Sequence, residues 1–202
     1  MQLEPSKLEW QNAYKLIVGS ILPRPIAMVS TVSKEGIANI APFSFFTAIS
    51  AKPLLVCFSP MRKGTDGSKK DTLINIEETK EFVIHVVSEE IVEKMNVTAT
   101  SFTPEIDEFT EAKFTKEKSV IVKPPRIKES KVQLECKLHE ALHFGEGPGA
   151  GSLVIGEVVM VHINDDLYYD GKINTQKLNP VGRMAGQMYT RSTASMFELL
   201  RK

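Results

Sequence analysis

The stretch Arg24 to Phe46, RPIAMVSTVSKEGIANIAPFSFF, decides how the chain is organised. Its first arm, Ile26 to Val32, is rich in Ile, Val and Thr, side chains that suit a pleated, half-buried surface. Ser33-Lys34-Glu35-Gly36 then makes a four-residue turn, with Gly36 free to take the positive φ that a hairpin closure needs. The second arm, Ile37 to Phe46, returns as a strand containing Pro42, which cannot donate to a ladder and is confined to an edge or a bulge. An ordinary hairpin of an all-β core accounts for most of this pattern. Asn39 and Ser44 go further, because they set hydrogen-bonding groups into an apolar strand, and the break at Ala41-Pro42 frees backbone N–H groups. A polar ligand could use both.

After the hairpin, Ile49 to Pro53 reads as a turn and Leu54 to Ser59 as a buried strand. A basic, glycine-containing loop, Met61 to Lys70, follows, and Asp71-Thr72 opens a helix whose apolar contacts are Leu73, Ile74 and Ile76. Asp71 or a neighbour is expected to cap its first turn. Basic side chains, hydroxyls and a helix N-terminus together suit a phosphate, since orphan N–H groups and the helix dipole favour an anion. A capped helix start with solvated lysines fits the same residues, and such patterns are common.

Before the hairpin, Tyr14 to Val18 reads as an edge strand and Gly19 to Pro25 as a loop, because Pro23 and Pro25 exclude regular helix. Arg24, between those prolines, either faces a bound anion or is simply solvated. Later in the chain, Phe82 to Val87 is a strand, and Glu89 to Asn96 an amphipathic helix with Ile91, Val92 and Met95 inward. Lys131 to His139 alternates, with Val132, Leu134, Cys136 and Leu138 on one side and Lys131, Gln133, Glu135 and Lys137 on the other, which predicts a half-solvated antiparallel strand. GEGPGAG, Gly145 to Gly151, lacks the ending of a nucleotide P-loop and reads as a hairpin loop. Leu153 to Ile163 is a near-continuous apolar strand with Gly156 as a bulge, and Met196 to Leu200 a short closing helix.

The whole chain, residues 1–202, fits one domain, which at this size buries roughly 70% of its unfolded surface. Twenty-five basic residues balance twenty-five acidic ones, so no global field favours nucleic acid or anionic lipid. No apolar run approaches the roughly 20 residues of a membrane span, and MQLEPSKLEW lacks a signal-peptide core, so a cytoplasmic protein is expected. Cys57 and Cys136 lie in apolar runs and read as small buried hydrophobes. His139 and His143 on one strand stand roughly 13 Å apart, too far to share an ion, and His85 and His162 read as satisfied barrel residues; no metal site is expected. No nucleophile stands in an activating context and no dinucleotide fingerprint is present, so a cofactor would have to supply the difficult chemistry.

RPIA-VST---G--N-APFSFF, followed by FSP-R and KDTL-NI in the same order, resembles the flavin-reductase-like family of FMN-binding split-barrel proteins, especially the branch with the flavoredoxins. The resemblance runs from about Val18 to Tyr189. It implies a mainly β, antiparallel Greek-key split barrel with peripheral helices, an FMN cofactor, NADH or NADPH as electron donor, an unknown acceptor and a homodimer. Carried onto this sequence, it assigns the phosphate to Ser59, Arg62, Lys70, Asp71 and Thr72. Thr31, Asn39, Ala41, Phe43 and Ser44 then line the isoalloxazine edge, with Arg24 nearby, and the segment Leu178 to Tyr189 returns towards the ring. Three functions remain open on these grounds: an NAD(P)H-dependent flavin reductase or flavoredoxin-like oxidoreductase, a non-catalytic FMN electron carrier, and a split barrel recruited for another ligand or for protein contacts.

Overall fold

In the computed structural model, which describes residues 1–200, the Arg24–Phe46 stretch forms the expected hairpin. Strand β1 (Ala27–Val32) pairs antiparallel with β2 (Ala38–Phe43), from Ala27 opposite Phe43 to Val32 opposite Ala38. The turn closes through Gly36 N–H to Ser33 O at 3.0 Å, with Gly36 at φ +86°. β2 stops at Phe43, however, and Phe46 begins a separate strand, β3 (Phe46–Ala51). The single strand expected over Ile37 to Phe46 is therefore two strands divided by Ser44 and Phe45.

β4 (Leu54–Phe58), helix α2 (Asp71–Thr79) and β5 (Glu81–Val86) follow. A 3₁₀ turn at Glu89–Ile91 runs into α3 (Val92–Val97), and α4 (Glu108–Glu111) is a single turn. The two-residue strands β6 (Lys116–Glu117) and β7 (Arg126–Ile127) pair, and β8 (Val132–His143) and β9 (Ser152–Ile163) form the longest hairpin, joined by the GEGPGAG loop. The ribbon β10 (Tyr168–Tyr169) with β11 (Lys172–Ile173), helix α5 (Thr175–Leu178) and the ribbon β12 (Val181–Arg183) with β13 (Tyr189–Arg191) complete the order.

Seven strands make one antiparallel sheet in the order β2-β1-β5-β8-β9-β4-β3. β2 and β3 are its two edges, yet only Ser44 and Phe45 separate them along the chain. A chain advances at most about 3.6 Å per residue, so Phe43 and Phe46 stand within about 11 Å. The sheet must curl until its edges meet. The result is a mainly β split barrel whose β2/β3 seam carries no ladder, and Pro42 sits on that edge where its missing N–H leaves no ladder partner wanting.

Two cores flank the hairpin. Ala27, Val29, Phe43, Val56, Phe58, Phe82, Ile84, Cys136 and Val154 fill the barrel, with Leu73 and Ile76 of α2 inserted among them. Met28, Ile40, Ile91, Met95, Phe109 and Ile127 form a second cluster, in which β1 and β2 meet α3 and α4. Covered on both faces, β1 is buried from Ala27 to Thr31. His85 is fully buried and bonded at both ring nitrogens, to Met28 O at 2.9 Å and from Ile127 N–H at 3.0 Å, and burial holds its pKa down at about 4. Both cysteines are free and buried. No helix among the described residues is long and apolar enough to cross a membrane.

Several expectations are corrected. Tyr14 to Val18 belongs not to a strand but to helix α1 (Trp10–Ser20). Tyr14, Ile17, Val18 and Ile21 recur at helical spacing, and both sheet edges lie at the seam. The turn at Ile49 to Pro53 shrinks to Lys52 and Pro53, because β3 continues to Ala51 past a register shift at Ile49. β8 is not half-solvated over Gln133 and Glu135, which are buried beneath residues 118–127. Glu135 accepts backbone N–H groups from Val120, Ile121 and Val122 and pairs with His162 at 2.6 Å. Gly156 is not the bulge, since the register steps over Val159 and His139 instead. Met196 to Leu200 has no regular structure: five exposed residues cannot nucleate a helix without a packing partner.

Gly156 serves packing. A Cβ there would lie 2.3 Å from Phe82 Cζ, inside the ring series Phe43–Phe58–Phe82 with centroids 5.0 and 5.7 Å apart. Gly156→Ala is expected to destabilise the fold by about 1–3 kcal/mol through overpacking, read from the urea midpoint, and Phe82→Leu in the same chain should recover part of the loss. Additive losses in the double variant would refute the contact as the cause.

Candidate functional site

At the end of β2, the side chains of Pro42 and Phe43 and the following corner open a groove of about 690 Å³. Phe43, Ser44 and Phe45 form one wall, Ser59 to Thr65 another, and Trp10, Gln11, Tyr14 and Lys15 of α1 a third. A second, smaller cavity of about 180 Å³ adjoins it, lined by Asn39, Ala41, Asp71, Thr72, Glu108 and the segment 98–102. Pro42, Lys63, Lys70 and Ser101 line both, so the two lie side by side. The large space lies within the roughly 300–1,000 Å³ usual for a small-molecule site.

Lys70 stands at the junction. It is the N-cap residue of α2, and no side chain caps that terminus. The orphan N–H groups of the first turn are therefore open to an acceptor. Neighbouring Lys69 is paired with Glu77 at 2.8 Å, whereas the Lys70 ammonium has neither carboxylate nor hydrogen-bond acceptor among the described residues and lies 5.5 Å from the centre of the Phe43 ring. Burial, and then Lys63, lower its pKa. A half-buried cation without a partner beside an uncapped helix start fits an anionic group. That donor set suits the phosphate of a flavin mononucleotide.

Behind the cavity runs a polar network. Asn39 Oδ1 accepts from Thr72 Oγ1 at 2.8 Å and Thr31 Oγ1 at 3.3 Å, and Asn75 Nδ2 donates to Thr31 Oγ1 at 3.0 Å. Asn39 Nδ2 donates to Glu108 Oε2 at 2.8 Å, and Ile40 N–H donates to the same oxygen at 2.6 Å. The Glu108 carboxyl is pushed up to about 7, chiefly by burial and then by the charges of Asp71 and Asp107.

Of the residues singled out in the sequence, the fold brings Asn39, Ala41, Asp71 and Thr72 to the small cavity, Phe43, Ser44, Ser59 and Arg62 to the groove, and Lys70 to both. Two depart. Thr31 is fully buried behind Asn39 and supports it from the second layer. Arg24 is 4% exposed and turned inward: it donates to the carbonyls of Val18, Ile21 and Met184 at 2.8, 3.0 and 3.0 Å and to Ser44 Oγ at 3.3 Å. It clamps α1, the seam corner and the C-terminal segment together, with four donor contacts committed. Two assigned residues are narrowed. The Thr72 hydroxyl is buried and points its proton at Asn39, so its free donor is the backbone N–H. Arg62 ties its own loop to the glycine loop through Gly67 O at 2.8 Å and Gly145 O at 3.2 Å.

Sequence reasoning missed the α1 wall and Glu108. The spacing of Trp10, Tyr14 and Ile17 was the signal for α1. Nothing in Asp107-Glu108-Phe109 marks the middle residue for burial. Trp10 also explains the glycine loop: Gly149, at φ +83°, would bring a Cβ to 2.5 Å from the indole, and a Cβ on Gly64 would lie 3.3 Å away.

A family model described as a flavin reductase like domain matches residues 18–177. The chain belongs to the flavin-reductase-like family. An uncharacterised protein of Halalkalibacterium halodurans is 44% identical over 191 residues, 94% of this chain and 91% of that one. Nitrilotriacetate monooxygenase component B of Bacillus cereus superposes with TM-score 0.93 at 38% identity, covering 98% of both chains. The 2-nitrobenzoate 2-nitroreductase NbaA of Pseudomonas fluorescens superposes at 0.87 with 31% identity, over 100% of this chain and 96% of that one. Membership carries a flavin-related oxidoreductase function.

Arg24→Leu removes every donor of the clamp and strands buried carbonyls. It is expected to lower stability by about 2–4 kcal/mol in urea titration. An unchanged midpoint would show that the corner holds without it.

Proposed function

We propose that this family member binds FMN, with the phosphate in the small cavity and the isoalloxazine in the groove, and works as an NAD(P)H-dependent flavin reductase or flavoredoxin-like electron-transfer protein. The observation that carries the reading is Lys70, a cation with no carboxylate or hydrogen-bond acceptor among the described residues, at an uncapped helix start between two adjoining cavities. Its ammonium and the Asp71 and Thr72 N–H groups bind the phosphate, while Ser59 and Arg62 flank it. Asn39, held by Glu108 and Thr72, presents the polar edge of the site. Phe43 to Phe45 and the α1 residues Trp10 and Tyr14 exclude water from the ring. Bound FMN would supply the chemistry by accepting a hydride equivalent from NADH or NADPH and passing electrons to an acceptor. No side chain of this chain needs to act as a nucleophile.

The chain acts in this reading as one domain and assembles as a homodimer. Exposed Leu16 and Ile17 of α1 and Ile21 just after it, with Ile49 of β3 and Leu54 of β4, support that assembly.

Purified protein should be yellow or take up added FMN. A charge-assisted hydrogen bond contributes roughly 1.5–3 kcal/mol, so Lys70→Ala is expected to weaken FMN binding about 10- to 150-fold and leave riboflavin, which lacks the phosphate, nearly unaffected. Equal affinities of wild type and variant for FMN would remove the phosphate assignment. Rapid mixing of the flavin-loaded protein with NADH and with NADPH should bleach the flavin absorption with one of them. A flavin that stays oxidised with both would leave an electron carrier.

A further inference from the structure

Glu108 lines the small cavity, and the proposed function assigns it no ligand contact. It is 6% exposed, yet no cation lies within salt-bridge distance of it among the described residues. Both of its contacts, from Ile40 N–H at 2.6 Å and Asn39 Nδ2 at 2.8 Å, fall on Oε2. Oε1 has no partner among the described residues, and the side chain lines the cavity that holds Lys70 and Thr72.

The charges around it can be counted by element. From α2 come Asp71 and, at its cap, Lys70; from the basic loop, Lys63; from the start of α4, Asp107, which pairs with Lys116. β2 contributes only neutral groups. Within the cavity wall, Lys63 and Lys70 balance Asp71 and Glu108. A phosphate ester brings about 1.5–2 further negative charges at neutral pH. Ionised Glu108 would then share a confined, poorly solvated space with that ester and with Asp71, and like charges at such range disfavour joint ionisation.

Resting on the phosphate reading above, we propose that Glu108 takes up one proton from solvent as a phosphate ester binds beside Lys70, so that ligand affinity is linked to pH through this residue. The proton resides on Oε1, because Oε2 already accepts two N–H groups. Protonation converts that oxygen from a repulsive acceptor into a donor at the cavity wall, and it leaves the Asn39 and Ile40 contacts intact. The free carboxyl already lies at about 7, so the bound phosphate needs to raise it only further in the same direction. The sign follows. Below about 7 Glu108 is protonated in both free and loaded protein and contributes no pH dependence. Above it the free protein is ionised, binding requires a proton, and affinity falls by up to roughly tenfold per pH unit until the loaded protein also ionises.

FMN titrations of wild type and Glu108→Gln from about pH 7 to 9 test the linkage. Gln retains an oxygen for Ile40 N–H and cannot titrate, while the phosphate ligand is the same in both titrations. The ratio of the two dissociation constants should therefore climb with pH for FMN and stay flat for riboflavin. Calorimetry at about pH 8, in two buffers of different ionisation enthalpy, should show wild type absorbing a sizeable fraction of a proton per FMN and the variant less. This wild-type measurement stands even if the variant folds poorly. FMN binding with parallel pH profiles and no proton uptake overturns the linkage alone. Failure of wild type to bind FMN at any pH overturns the phosphate reading and the linkage with it.

Discussion

The two-residue link between the sheet's edges governs the rest of the structure. With Ser44 and Phe45 joining β2 to β3, a seven-stranded sheet cannot stay open, and the strands must roll until first and last stand side by side. The closing pair is covalently tethered yet unladdered, because Pro42 removes a donor just where the chain turns away. Backbone groups and side chains that a ladder would occupy are left at a seam. Arg24 then fixes the geometry of that seam, binding Ser44 on one side and the carbonyls of α1 and Met184 on the other. The groove arises from the closure itself, and α1 covers the place where the closure is incomplete.

This dependence explains what the sequence made legible. The hairpin, its turn and Pro42 on an edge follow from local chemistry: β-branched residues, a glycine at positive φ and a proline without N–H. Strands β4, β5 and β9 were readable from apolar runs, β8 from its alternation, and the helix after Lys70 from its spacing. The failures share a different cause. Glu135 and Gln133 look solvent-facing in an alternating strand, but a loop from elsewhere in the sequence covers them, and three consecutive backbone N–H groups satisfy the carboxylate. Gly156 looks like a bulge, but the space it leaves belongs to Phe82 on another strand. α1 was mistaken for a strand because its few apolar residues face a surface that exists only after the barrel closes.

The candidate site divides along the same line. Lys70, Asp71 and Thr72 were legible because a helix start is a local object and its orphan N–H groups follow from helix geometry alone. Asn39 was legible as a polar residue in an apolar strand. Arg24 and Thr31 both meet protein partners from distant segments, Arg24 donating to Met184 O 160 residues away and Thr31 accepting from Asn75 Nδ2 44 residues away, and neither contact has a local signature. Glu108 left no trace at all. Its burial depends on β2 passing over a one-turn helix, and that contact has no local signature.

The pattern of satisfied and unsatisfied groups is the strongest internal argument that the two cavities are functional. Elsewhere the fold pairs what it buries. His85 is bonded at both nitrogens, Gln133 at its oxygen and nitrogen, and Glu135 by three N–H groups and a histidine, while Ser88 Oγ is the only fully buried side-chain polar atom without a partner among the described residues. A chain that solves these cases so completely did not lack the means to pair Lys70, since it pairs Lys69 next door. The half-buried Lys70 ammonium has no protein acceptor, and one oxygen of the Glu108 carboxyl has no protein donor among the described residues. Both groups line the same small space, and one ligand could satisfy them together. A phosphate ester meeting a lysine and a protonated carboxyl is one such ligand.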